Sequence, residues 1–129
     1  MLVDNKWCVV YVDTSLKGEQ LAQTIAEGLG GSCEHRCVSA GTVELDVDSN
    51  DDFDAKARLA RPEGFLHFRY RVEIDYPGAK SHEVRDLVSR LLTHLWVKEI
   101  PAVAACDFEE DLPNLGNGQF SNTSIPWPK

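Results

Sequence analysis

Six side chains that could offer oxygen to a cation crowd between positions 46 and 54: Asp46, Asp48, Asn50, Asp51, Asp52 and Asp54. Calcium loops open D-x-[DN]-x-[DN]-G and close on a glutamate at the twelfth position. Asp46, Asp48 and Asn50 fit that opening, but Asp51 stands where the glycine belongs and Ala57 where the glutamate belongs. The pattern also begins inside an expected strand. It reads as a solvated acidic loop balanced by Lys56, Arg58 and Arg61, with no metal and no other cofactor expected.

Sulfur and imidazole are the next candidates. Cys33, His35 and Cys37 alternate, so one strand could carry all three on one face. A structural zinc takes four ligands, and nothing in the sequence specifies the fourth beyond a distant residue such as His67. The four cysteines, at 8, 33, 37 and 106, lack paired C-x2-C spacing and read as reduced thiols. The histidines at 35, 67, 82 and 94 sit in no nucleophile motif, and there is neither a G-x-S-x-G nor a phosphate-cradling glycine loop. His67 with Arg69 and Asp46 is the one acid–base combination that a sheet face could assemble. No catalytic residue is assigned, and the chain leans away from being an enzyme.

These residues sit on elements that periodicity predicts. Trp7 to Val12 is apolar on both faces, which suits a central strand. Thr14 or Ser15 can cap a helix through Leu29, in which Leu21, Ile25 and Leu29 recur every fourth residue and Gly30-Gly31 supplies the stop. From Ser32 to Ala40 the pattern is weak, with a possible early strand through Cys33 to Val38. Thr42 to Asp48 is a strand with Val43, Leu45 and Val47 inward. Residues 49–64 form a long polar connection. Phe65 to Asp75 alternates throughout and predicts one long strand with Leu66, Phe68, Tyr70, Val72 and Ile74 inward. Ser81 can cap a second helix reaching about Lys98, and Ala102 to Cys106 reads as a short last strand.

The order strand, helix, strand, strand, helix, strand predicts an α+β fold: a ferredoxin-like βαββαβ sandwich. Its antiparallel sheet would run in the order 4-1-3-2 with two helices on one face. The domain is expected over residues 1–112, with a C-terminal coil tail over 113–129. The first and last strands should be antiparallel neighbours with Cys8 opposite Cys106. Directly opposite Cβ atoms lie about 4.5–5.5 Å apart, above usual disulfide spacing, so proximity without a bond is expected.

The uncovered sheet face should then present Trp7, Val9 and Tyr11 beside Phe65, His67, Arg69, Arg71 and Glu73, and beside Glu44, Asp46 and Asp48. Opposite charges pairing across strands would account for most of this face. The aromatic residues among them suit a protein interface, unless Phe120 or Trp127 of the tail folds back over them. Gly64, Phe65 and Tyr70, in the segment Gly64-Phe65-Leu66-His67-Phe68-Arg69-Tyr70, resemble the RNA-recognition-motif strand, which stacks bases on outward aromatic rings. That family shares the expected fold. Glu63 replaces its basic residue, Leu66 its small one and His67 its second outward aromatic, and the likeness spans about eight residues.

Charge then selects among partners. The net charge of −8 repels phosphate backbones at long range and attracts basic surfaces, so no nucleic acid is expected. No apolar run is long enough for a membrane span, and no export signal opens the chain, so a cytoplasmic location is expected. The reading is a non-enzymatic protein-binding module, an acidic inhibitor, immunity or accessory protein. Its contact residues would be Trp7, Tyr11, Asp46, Asp48, Phe65, His67, Arg69, Arg71, Asp107, Glu109 and Glu110. The alternative is a small-molecule binder or small enzyme using the sheet face or the sheet–helix cleft, or a homodimer packed sheet to sheet.

Overall fold

The computed structural model describes residues 8–60, 63–76, 81–106 and 128. Its elements are β1 (Cys8–Val12), α1 (Gly18–Leu29), β2 (Ser32–Glu34), β3 (Cys37–Ala40), β4 (Val43–Ser49), β5 (Tyr70–Asp75), α2 (Ser81–Val97) and β6 (Ala102–Cys106). Trp7, Asp107, Glu109, Glu110, Phe120 and Trp127 lie outside the described residues, as does the expected boundary between residues 112 and 113.

The α+β class holds, but the four-strand ferredoxin-like sandwich does not. One antiparallel sheet has six strands in the order β2-β3-β4-β5-β1-β6. The extra pair is a hairpin formed by the weakly patterned stretch after α1, with Ser32 opposite Ser39 and Glu34 opposite Cys37. Periodicity missed it because each strand is too short to show two full alternations. Its turn, His35-Arg36, carries no glycine or asparagine, and His35 itself takes the left-handed conformation at φ 58°.

Both helices pack on one face of the sheet and against each other. Leu21, Ile25 and Leu29 of α1, and Val84, Leu87, Val88, Leu91, Leu92 and Leu95 of α2, are buried against Val10, Val12, Leu45, Val47, Val72 and Ile74. The start of α1 differs from expectation. Thr14 Oγ1 accepts the Leu16 N–H at 3.2 Å in a local turn, so the helix starts three residues later, where the Lys17 N–H donates to Gln20 Oε1 at 3.0 Å. Gly30, at φ 67°, closes the helix as expected. Among the described residues, no helix is long and apolar enough to cross a membrane.

The largest correction concerns Phe65 to Arg69. Residues Glu63–His67 form a 3-10 helix, and the strand begins only at Tyr70. The segment resembling the RNA-binding strand is therefore mostly not a strand, and Leu66, expected inward, is exposed. Asn50 supplies the physical reason. It is buried at the end of β4, and its Nδ2 donates to the carbonyls of Leu66 at 3.0 Å and Phe68 at 2.8 Å, while its Oδ1 accepts the Asp52 N–H at 3.1 Å. A side-chain amide thus takes carbonyls that a longer strand would have offered to a ladder. Nearby, Asp54 Oδ1 accepts the N–H groups of Ala57 at 2.8 Å and Lys56 at 2.9 Å, and these bonds hold its carboxyl below the usual carboxylate range. Arg58 Nη1 donates to Asp13 Oδ2 at 2.8 Å, tying the connection to the end of β1. The described residues of the long polar connection are thus folded onto the sheet.

The cysteines also differ from expectation. The register sets Cys8 opposite Cys106 as predicted, but Cys8 is disulfide-bonded. Cys33 and Cys37 are free thiols. The expected reduced state therefore fails at Cys8.

Two measurements check this account. Asn50→Ala leaves two carbonyls and one N–H without their partner, and should lower unfolding stability in urea by about 2–3 kcal/mol. Reducing the disulfide at Cys8 should lower it by roughly 2–5 kcal/mol. Melts that coincide with and without reductant would refute the crosslink.

Candidate functional site

The sheet face away from the helices is built by alternation. Because Val43, Leu45 and Val47 of β4 and Val72 and Ile74 of β5 point into the core, Glu44, Asp46, Asp48, Arg71, Glu73 and Asp75 must point out. The register then decides which of them meet. Asp46 lies directly opposite Glu73, and Glu44 directly opposite Asp75; only Asp48 faces a cation, Arg71. Glu44, Asp46, Asp48, Glu73 and Asp75 are exposed. Opposite charges therefore face each other in one row of three, and the ion pair that Arg71 makes runs along its own strand to Glu73 rather than across to Asp48. On the neighbouring strand, Cys37 lies opposite Asp46 and Ser39 opposite Glu44. Desolvation, then the hydrogen bond and charge of Asp46, with Glu44 and Cys33 adding to them, push the Cys37 thiol above its ordinary value. At neutral pH it stays a thiol, which makes it a poor nucleophile and a poor metal ligand.

The other end of the face is aromatic. Tyr11 of β1 meets Phe65 edge-on, with ring centroids 5.4 Å apart and planes at 70°. The Arg71 guanidinium stands 5.8 Å from the Tyr11 ring and its Nη1 lies 3.5 Å from Glu73 Oε2. Val103 of β6 lies opposite Tyr11 and is fully buried. Part of the uncertainty over what covers the aromatic residues is resolved from within the described chain: residues 63–67 bring Phe65 onto Tyr11. The acidic rows of β4 and β5 remain open to solvent.

The other sequence candidates are dispersed. His67 lies off the sheet in the 3-10 helix with Nδ1 3.0 Å from the Asp52 carbonyl, and Arg69 stacks 4.3 Å from the Phe53 ring, so neither joins Asp46 in an acid–base site. Cys33 packs towards the core, Cys37 points to the opposite face, and His35 sits in the turn between them. Asp46 and Asp48 are on a strand and Asn50 is buried, so the calcium-like spacing does not close into a loop. Among the described residues, no three His, Cys, Asp or Glu side chains are grouped to hold a metal ion. Tyr70, which points inward as expected, donates its hydroxyl to the Leu16 carbonyl at 2.6 Å. His94 has its Nε2 3.1 Å from the Thr24 carbonyl and lies against Gly28 in an open groove of about 370 Å³ between the helices.

The sequence placed Cys37 on a possible strand but not beside Asp46, since the β2–β3 hairpin was not foreseen. Glu44 and Asp75 were readable as outward residues, but only the register sets them opposite each other.

Like charges set opposite one another have a measurable signature. Asp46→Asn should raise stability by about 0.2–1 kcal/mol at low salt, and the gain should shrink at high salt. Glu73→Gln should gain less, because it relieves the same repulsion but also gives up the ion pair with Arg71. A loss for Asp46→Asn in urea melts at low salt would show that repulsion from Glu73 does not set the energetics of this row. No family model, curated protein or solved structure matches the chain.

Proposed function

We propose that this chain is a non-enzymatic protein-binding module, an acidic inhibitor, immunity or accessory protein that receives a basic protein partner on the outer face of β3, β4 and β5. The observation that carries the reading is the opposition of Asp46 to Glu73 and of Glu44 to Asp75, four exposed carboxylates against the single ion pair of Glu73 with Arg71. Such rows cost the isolated domain stability, and a cationic partner relieves that cost on binding while steering association at long range. The side chains that chemistry would need are committed elsewhere: His67 to Asp52, His94 to Thr24, Tyr70 to Leu16, and Cys37 held as a thiol. Self-association through this face is disfavoured, because a second copy would bring carboxylate rows against carboxylate rows in a chain of net charge −8. The disulfide at Cys8 favours an oxidising compartment over the cytoplasm.

The test separates this face from overall charge. One variant carries Glu44→Gln, Asp46→Asn, Glu73→Gln and Asp75→Asn; a control neutralises four exposed carboxylates elsewhere, Glu19→Gln, Glu27→Gln, Asp86→Asn and Glu99→Gln. Calorimetric titration with poly-L-lysine at low salt should show a loss of about tenfold or more in affinity for the first and a much smaller loss for the control. Equal losses would place binding in net charge alone and overturn the reading.

A further inference from the structure

We infer that the groove between α1 and α2 binds a small aromatic carboxylate, held by Arg90. The groove lies in the helix layer, on the other side of the sheet from the acidic rows, so this inference goes beyond the protein-binding reading and stands independently of it.

Gly28 lies inside α1, where glycine weakens a helix relative to alanine. A Cβ at this position would come 2.3 Å from His94 Cδ2, so only glycine lets the imidazole lie against α1. The ring is held there by a hydrogen bond. The Thr24 carbonyl can only accept, so His94 Nε2, 3.1 Å away, carries the proton and donates it. The missing side chain leaves bare backbone as a floor beside a fixed imidazole wall. Gly28, Ser89, Arg90, Thr93 and His94 line a groove of about 370 Å³, within the range of about 300–1,000 Å³ typical of small-ligand clefts. The polar groups of this lining fall into two kinds. Thr93 Oγ1 donates to the Ser89 carbonyl at 2.9 Å, and His94 to Thr24. Arg90 and the Ser89 hydroxyl make no ion pair or hydrogen bond among the described residues, although Asp86 stands one helical turn before Arg90. Both are donors, and they are neighbours in the chain. A carboxylate satisfies them together, its oxygens accepting from the guanidinium and the hydroxyl. Charge agrees, since the lining holds one cation and no carboxylate in a chain of net charge −8. A solvated surface arginine would share the missing ion pair, but not the glycine floor or the fixed ring. The remaining wall is the Thr93 methyl, the Arg90 methylenes and the imidazole, which suits an apolar body. A flat one fits best, because guanidinium planes stack on aromatic rings.

The test is a titration with benzoate at constant ionic strength, followed by proton–nitrogen correlation spectra of the labelled protein. Saturable shifts should appear at the amides of Gly28, Ser89 and Thr93, with a Kd of about 1–10 mM, as an open groove and so small a ligand allow. Benzamide, which has the same shape without the charge, should bind about fivefold more weakly, the effect of one exposed ion pair. Arg90→Gln should weaken benzoate by a similar factor, while Lys56→Gln, which removes the same charge from an exposed position off the groove, should leave it unchanged. The absence of saturable shifts at those amides in the wild-type protein overturns the site. Equal affinity for benzoate and benzamide, or full affinity in Arg90→Gln, overturns the recognition of a carboxylate. A loss that Lys56→Gln shares also overturns it, since binding would then follow net charge. None of these results bears on the acidic face, whose own test uses a different ligand and different variants.

Discussion

The register between β4 and β5 is the constraint from which the rest of the molecule follows. Leu45 opposite Ile74 and Val47 opposite Val72 place four aliphatic side chains under the helices. The same register leaves Glu44 opposite Asp75 and Asp46 opposite Glu73 on the other side. A slip of one residue would separate the carboxylates, but would also turn the aliphatic set to solvent. Burial of each such side chain stabilises by about 1.5–3 kcal/mol, whereas a like-charge pair on an exposed strand costs about 0.2–1 kcal/mol. The core wins, and the acidic rows are carried as its consequence.

The connection between these two strands holds that register in place. Residues 50–60 and 63–69 form a cap: Asn50 ties the end of β4 to the carbonyls of Leu66 and Phe68, and its own N–H donates to the Arg69 carbonyl at 2.9 Å. Phe68 enters the core from this cap while Phe65 turns to the opposite face and meets Tyr11. One segment therefore closes the end of the sheet and divides its outer face into a covered aromatic part and an open acidic part.

Legibility in the sequence followed the length of each pattern. The helices were readable from apolar stripes at helical spacing, Leu21, Ile25 and Leu29 in α1 and six residues from Val84 to Leu95 in α2. The central position of β1 was readable from its two apolar faces, and the opposition of Cys8 and Cys106 from the pairing of the first and last strands. The β2–β3 hairpin was not readable, since three and four residues show too little alternation and its turn lacks the usual residues. Phe65 to Arg69 misled for a different reason: alternation is necessary for a strand, but a distant buried amide can claim the carbonyls that would make one. At the candidate site the outward residues of β4 and β5 were legible individually. Their mutual repulsion was not, because pairing is a property of two strands whose register no single stretch of chain contains.

The disulfide at Cys8 fixes the first residue of a strand that lies between β5 and β6. The backbone groups of β1 serve both neighbours, so a strand that cannot fray at its start keeps two ladders in register at once. The anchor sits on the strand whose loss would separate β6 from the rest of the sheet.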